Sequence, residues 1–177
     1  MTAFTVACLA ASVELMAGED SAGRFIAAQF QAPLAPSRLP VTGEVSRLCA
    51  DVLGRSYARE SILHAGDAEK TVWILSAQGK HGLIDAGFVV KDGRLRETRV
   101  LDDREQRGRP IRGQRFLRQF EDVGLRDGIR LDRRIDGITG ATVSSDAMEK
   151  MARLALRLDA LVQGERERAD GRGRVEE

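Results

Sequence analysis

Reactive side chains are scarce in this chain. Its 177 residues include two Cys, two His, one Trp and one Tyr. Cys8 and Cys49 stand far apart and form no C-x-x-C, so structural zinc, iron–sulfur ligation and c-type haem attachment all lack their ligands. The spacing gives no support to a disulfide between them. His64 and His81 do not make an H-E-x-x-H motif, which removes the usual histidine-built metal centre. Nor can a Ser–His–Asp set, a paired-carboxylate site or an activated Cys be assembled from this inventory. An excess of one charge is missing too: 28 Lys and Arg stand against 27 Asp and Glu, a formal net charge of +1. That balance argues against a general binder of nucleic acid or acidic membranes. Only Lys70, Lys80, Lys91 and Lys150 are lysines, so the basic residues are overwhelmingly Arg.

What remains is the composition of an ordinary globular protein, 42% hydrophobic and 31% charged. The length suits one domain with a small appendage and lets the chain bury roughly 70% of its unfolded surface. The one long apolar run is residues 1–18, MTAFTVACLAASVELMAG. It is too short, and too interrupted by Glu14, to span a bilayer. The first cation after it is Arg24, so a secretory signal would lack its basic start. The run reads either as a degenerate export signal or as an N-terminal packing helix. Its T-V-A-C at Thr5 to Cys8 has a faint likeness to a lipoprotein cleavage box, and a small buried Cys is the plainer reading.

Residues 19–68 read as a helical N-terminal extension. In it Phe25, Ile26 and Phe30 take helical spacing, and PLAPSRLP breaks any helix and reads as a linker. Thr42 is placed to cap a second helix that Gly54 stops. Extended segments follow at about 56–64 and 70–77, the second carrying Trp73, which belongs in a core. A second hairpin pairs LIDAGFVV (83–90) with RLRETRVL (94–101) across the turn KDG. SAQGKHG, with Lys80 and His81, and DDREQRGRPIRG read as charged Gly-rich loops, where sites usually sit. Phe116, Leu117 and Phe120 share one face of a short helix. A long amphipathic helix is expected from about 146 to 163, with Asp146 and Glu149 as a capping pair and Met148 and Met151 in its buried stripe. The charged stretch 164–177 has no apolar anchor and reads as a disordered tail.

The chemistry is concentrated in Asp136-Gly-Ile-Thr-Gly-Ala-Thr-Val-Ser-Ser145, just ahead of that helix. Free backbone N–H groups and the positive end of the dipole favour an anion there, and small residues let a phosphate approach the backbone. Any capped turn has such residues, but one cap needs one hydroxyl, and this stretch offers Thr139, Thr142, Ser144 and Ser145. It is neither G-x-x-x-x-G-K-[ST] nor G-x-G-x-x-G, so nucleoside triphosphates and Rossmann-type dinucleotides lack support.

D-G-I-T-G-A-T-V-S-S resembles the flavinylation motif of the FMN-binding domain family, which includes the FMN-carrying subunits of sodium-pumping quinone reductase and Rnf-type electron-transport complexes. In that family the last Thr of an S/T-G-A-T core carries FMN through a phosphoester, attached by an extracytoplasmic flavin transferase that takes FMN from FAD. The resemblance implies Thr142 as the acceptor, with Asp136, Gly137, Thr139, Gly140, Ala141, Ser144 and Ser145 around the cofactor and Val143 at a variable position. It extends from about Glu69 to Leu161 in the order of elements, and gives a main domain over 69–163. Glu105 and Gly108 match the loop after the hairpin, where Arg104, Arg107, Arg109 and Arg112 are candidates to face a reduced flavin. Ser76-Ala77-Gln78 departs from the acidic or aliphatic residues that relatives often carry before Gly79-Lys80.

The expectation is therefore an α+β domain: a small twisted antiparallel sheet with flanking helices and the flavin-attachment turn before the last long helix. The implied function is electron transfer by covalently bound FMN between a membrane-bound or soluble donor and an acceptor, as a carrier rather than a stand-alone enzyme. The implied location is periplasmic or otherwise extracytoplasmic, with possible membrane association. Two other readings stay open. One is a flavin reductase or oxidoreductase that binds FMN non-covalently, and the other is a non-redox module holding a different phosphate ligand. Nucleic-acid binding by the Arg-rich 94–134 region is disfavoured, because acidic residues interleave with the arginines.

Overall fold

A computed structural model describes residues 21–80, 82–103 and 109–172. A short helix α1 (Ser21–Ala27) leads into strand β1 (Ser37–Pro40) and helix α2 (Gly43–Leu53). Strands β2 (Ser61–Gly66), β3 (Lys70–Gln78), β4 (Leu83–Lys91) and β5 (Arg94–Asp103) then complete a five-stranded antiparallel meander in the order β1-β2-β3-β4-β5. Beyond the sheet come a 3-10 turn (Arg109–Arg112), helix α3 (Gln114–Leu117) and a further 3-10 turn (Arg118–Phe120). A two-stranded ribbon, β6 (Leu125–Arg126) and β7 (Arg130–Leu131), precedes the long helix α4 (Thr142–Arg172). The α+β expectation is met. Among the described residues no helix is long and apolar enough to cross a membrane.

The β4–β5 turn shows how local sequence fixes the register. Asp92 and Gly93 both take positive φ, 55° and 67°. Two such residues make the mirror-image turn whose twist matches paired strands. Asp85, Gly87, Val89 and Lys91 then alternate with Ala86, Phe88 and Val90, so Trp73, Leu75 and Ala77 on β3 share a face with Phe88, Ala86 and Ile84 on β4. That face packs against α4 through Met148, Met151, Leu154, Ala155 and Leu158, all fully buried. The opposite face carries Val72 and Val89 under Phe25 and Ile26 of α1. Cys49 lies in the α4-side core, where burial pushes its thiol up to about 11, which keeps it protonated and unreactive.

Gly87 makes the α1 contact possible. A Cβ there would lie 2.3 Å from the Phe25 ring, so the ring occupies the space that any side chain needs. Gly87→Ala is expected to cost about 1–3 kcal/mol through overpacking, read as a lower urea midpoint. An unchanged midpoint would mean that α1 does not hold this position in solution.

A buried polar chain ties α4 to the sheet. The Thr71 hydroxyl donates to Asp159 at 2.5 Å and accepts from Trp73 Nε1 at 3.0 Å, and His64 stacks on the Trp73 ring at 4.8 Å. Trp73 is thus core, as its strand pattern implies. Burial raises the Asp159 pKa above the ordinary carboxylate value, against hydrogen bonds from Thr71, Gln163 and Trp73 and the nearby charge of Arg166. A raised folded-state pKa stabilises fully below the unfolded value of 3.8, and that stability is lost as pH climbs through the folded pKa. Asp159→Asn removes this loss, so its stability relative to wild type should rise as pH goes from below the unfolded value toward neutrality. Denaturant titrations across that window check the sign, and a constant difference would count against it.

Four sequence expectations are corrected. The PLAPSRLP linker contains β1, an edge strand paired with β2 through Ser37↔His64 to Pro40↔Ser61. Proline is tolerated at the end of an edge strand, so prolines at both ends of the segment did not exclude pairing. The helix expected from 146 begins at Thr142, which puts Asp146 inside the first turns, where it pairs with Lys150 at 2.9 Å rather than acting as a cap. It also continues through residues 164–172, expected as disordered tail. Helix propagation from an already packed segment needs only good helix formers, not an apolar anchor. The extended segment expected from 56 starts at Ser61, because residues 54–60 form bends and irregular backbone rather than strand. Residues 1–18, read as an export signal or a packing helix, lie outside the described residues.

Candidate functional site

The 136–145 segment is a braced turn at the start of α4. Ala141 N–H donates to the Ile138 carbonyl at 2.9 Å, and Gly140 between them has φ +83°. A four-residue turn with positive φ only at its third position is type II, which asks for glycine there. Ser145 fastens the turn to the helix: its hydroxyl accepts from Ile138 N–H at 3.1 Å and donates to the Ala141 carbonyl at 2.7 Å. Upstream, the Gln119 side chain grips Asp136 on both sides, accepting from its N–H at 2.8 Å and donating to its carbonyl at 3.2 Å.

These bonds leave the hydroxyls in different surroundings. Ser144 and Ser145 are buried, whereas Thr139 and Thr142 are exposed. Thr142 is the first residue of a helix of 31 residues, where unpaired N–H groups and the positive dipole end meet. A Cβ built at Gly140 would meet nothing within 4 Å, and one at Gly137 would meet only Ser145 Oγ at 3.9 Å. Space beside Thr142 is therefore open on the turn side, as a phosphate at a helix start requires.

Two cavities flank the turn. One, of about 470 Å³, is bounded by Ser76 to Gly79 at the end of β3, by Leu53 to Ser56 and Ala58 after α2, and by Val143, Asp146, Ala147 and Lys150 of α4. Val143, beside Thr142, is 49% exposed and forms part of this wall. The other, of about 510 Å³, lies between Asp136 to Ile138 and the Pro110, Arg115, Phe116 and Gln119 side. Both fall within the size range of cofactor sites. The outer wall of the first is pinned by charged groups. Tyr57 Oη accepts from Ser76 N–H at 2.9 Å, and burial lifts its pKa to about 12, which keeps it a neutral hydroxyl. Arg59 donates to Ser76 Oγ at 2.7 Å and to Asp85, and Ser76 itself donates to Asp85 at 2.5 Å.

The structure thus brings Asp136, Gly137, Thr139, Gly140, Ala141, Thr142, Ser144 and Ser145 into one turn and sets Ser76, Ala77, Gln78 and Gly79 across a cavity from it. Lys80 is exposed. Glu105, Gly108, Arg104, Arg107 and His81 lie outside the described residues, and Arg112 is exposed in the 3-10 turn. Sequence reasoning missed the roles of Gln119, Tyr57 and Arg59, and missed Lys150 and Arg55 as cavity cations. Gln119 lay in plain view in the F-L-x-Q-F segment, but nothing local says that its amide would reach Asp136. Among the described residues no group of His, Cys, Asp and Glu is placed to hold a metal ion.

The residue set fits a phosphorylated organic cofactor: an exposed hydroxyl at a helix start, glycines that leave room, and adjoining cavities with mixed walls. Neither curated proteins nor solved structures gave a match to the chain. A family model does match, over residues 79–157, and its description is FMN-binding domain. The matched region runs from the Gly79 end of the first cavity through the turn and the first half of α4. Residues 79–157 thus match an FMN-binding domain, and this match indicates FMN as the cofactor.

Proposed function

We propose that the protein is an electron carrier that holds FMN covalently through a phosphoester on Thr142. The observation that carries this reading is the exposed Thr142 hydroxyl at the first residue of α4, behind a type II turn that leaves the phosphate side open. Attachment follows from FAD. The Thr142 hydroxyl oxygen bonds to the FMN phosphorus, the pyrophosphate P–O bond breaks, and AMP leaves with the hydroxyl proton. A flavin transferase catalyses the step as partner. The diester keeps one negative charge beside the helix start, favourable by about 0.3–1 kcal/mol. Bound FMN supplies reversible electron uptake and release through its isoalloxazine ring.

The protein's own residues hold and screen the cofactor. Gly140 and Ser145 fix the angle at which Thr142 leaves the turn, and Gln119 fixes Asp136. The 470 Å³ cavity would receive the ring, with Val143 and the Ser76 to Gly79 segment in its walls and Lys150 and Arg55 as the cations that would favour the reduced form. Attachment by an extracytoplasmic transferase places the domain outside the cytoplasm, where a covalent bond prevents cofactor loss. Donor and acceptor are a membrane-bound or soluble pair that exchanges electrons with the ring.

Co-expression with a flavin transferase, followed by acid precipitation, tests the reading: the pellet should stay yellow. If the flavin washes out while NADH or NADPH is oxidised by the reconstituted protein, the non-covalent reductase reading replaces it.

A further inference from the structure

On the flank of the turn opposite the ring cavity, four arginines are unspent. Arg115 lines the 510 Å³ cavity beside Asp136 and Gly137, Arg118 stands next to the Gln119 that grips Asp136, and Arg133 and Arg134 run into Asp136 along the chain. All four side chains are exposed, and none makes an ion pair among the described residues. Of the neighbouring carboxylates, Asp122 is held by Arg94 and Arg96, and Asp132 is held by Arg94 and also feels the charge of Arg133. Among the described residues Asp136 is the one carboxylate on this cavity wall.

We infer that this arginine rim is a docking surface for an acidic protein, the redox partner of the flavin. The inference rests on the electron-carrier reading for the partner's purpose, and on charge complementarity for its chemistry. A chain with a net charge of only +1 has little global field to steer a partner, so a local concentration of cations without ion pairs at the turn decides where an acidic surface approaches. An acidic surface seated there stands next to the same turn that carries Thr142.

Two measurements separate this inference from the reading beneath it. Unloaded protein is titrated with poly-L-glutamate at low and high ionic strength. Binding should weaken with salt, and Arg115→Ala with Arg134→Ala should weaken it about fivefold, while Arg47→Ala with Arg168→Ala, in the wall of a separate cavity, should not. Equal losses in both pairs, or in neither, overturn the docking surface. Flavin-loaded protein is then reduced and oxidised by ferricyanide or by hexaammineruthenium(III). Ferricyanide should react more slowly as salt rises and in the Arg115/Arg134 variant, and the ruthenium cation should do the reverse. Salt trends of the opposite sign also overturn it. Protein that takes up no flavin sinks the carrier reading and leaves the poly-glutamate result to decide docking alone. Co-sedimentation with phosphatidylglycerol vesicles through these arginines, without poly-glutamate binding, replaces the protein partner with a membrane and overturns the inference.

Discussion

Thr142→Val yields a folded protein without covalent flavin. The side chain is exposed at the first residue of α4, and Val keeps its shape, so stability should stay within about 0.5 kcal/mol of wild type. The hydroxyl is the only atom that can carry the phosphoester at this position, so the loss is total rather than graded. Thr142→Ser restores the hydroxyl and should restore incorporation. In-gel flavin fluorescence after denaturation reads the result, with circular dichroism as the control for folding. Fluorescence in Thr142→Val equal to wild type would place the acceptor elsewhere, and Thr139, the other exposed hydroxyl in the turn, would be the first to test.

Gly140→Val should have the next largest effect. Gly140 sits at φ +83°, a conformation that a β-branched residue adopts at a cost of about 1–3 kcal/mol. Space is not the obstacle, since a Cβ there meets nothing within 4 Å. The strain instead drives the turn toward another conformation. That breaks the Ala141-to-Ile138 hydrogen bond and swings Thr142 away from its orientation. At tenfold per 1.4 kcal/mol, flavin incorporation at limiting transferase should fall by about one order of magnitude or more. The core beneath α4 does not include Gly140, so the thermal midpoint moves far less than a core deletion would move it. Incorporation at the wild-type rate would show that the turn geometry does not position the acceptor.

What could be read from the chain depended on whether the deciding contacts were local. The KDG turn was legible because Asp92 and Gly93 meet their backbone requirement by themselves. Gly54 was legible for the same reason: it stops α2 in the left-handed conformation, donating to the Ala50 carbonyl. The start of α4 was misplaced because Asp146 and Glu149 satisfy a local capping pattern, while Thr142 and Val143 look like loop. What starts the helix there is the turn behind it, closed by Ser145. β1 was missed because its pairing with β2 is specified by the partner strand, not by its own proline-flanked residues. In the site, the turn was visible as a density of small and hydroxylated residues. Its supports were not: Gln119 reaches Asp136 and Tyr57 reaches Ser76 across stretches that carry no periodic signal.

The scarcity of Cys and His fits this arrangement. Electron transfer by the protein's own groups has no basis among the described residues, where Cys49 is buried and protonated and His64 is stacked on Trp73 in the polar chain under α4. A bound flavin supplies the redox chemistry, and the fold supplies a hydroxyl at the right place and a cavity beside it.

The central claim is the bond between FMN and Thr142, and intact-protein mass spectrometry with peptide mapping tests it most directly. Protein co-expressed with a flavin transferase should gain the mass of FMN less one water, on the peptide that contains Thr142. An unchanged mass under conditions where a known acceptor is loaded, or the same gain on a peptide that lacks residues 136–145, would contradict the account.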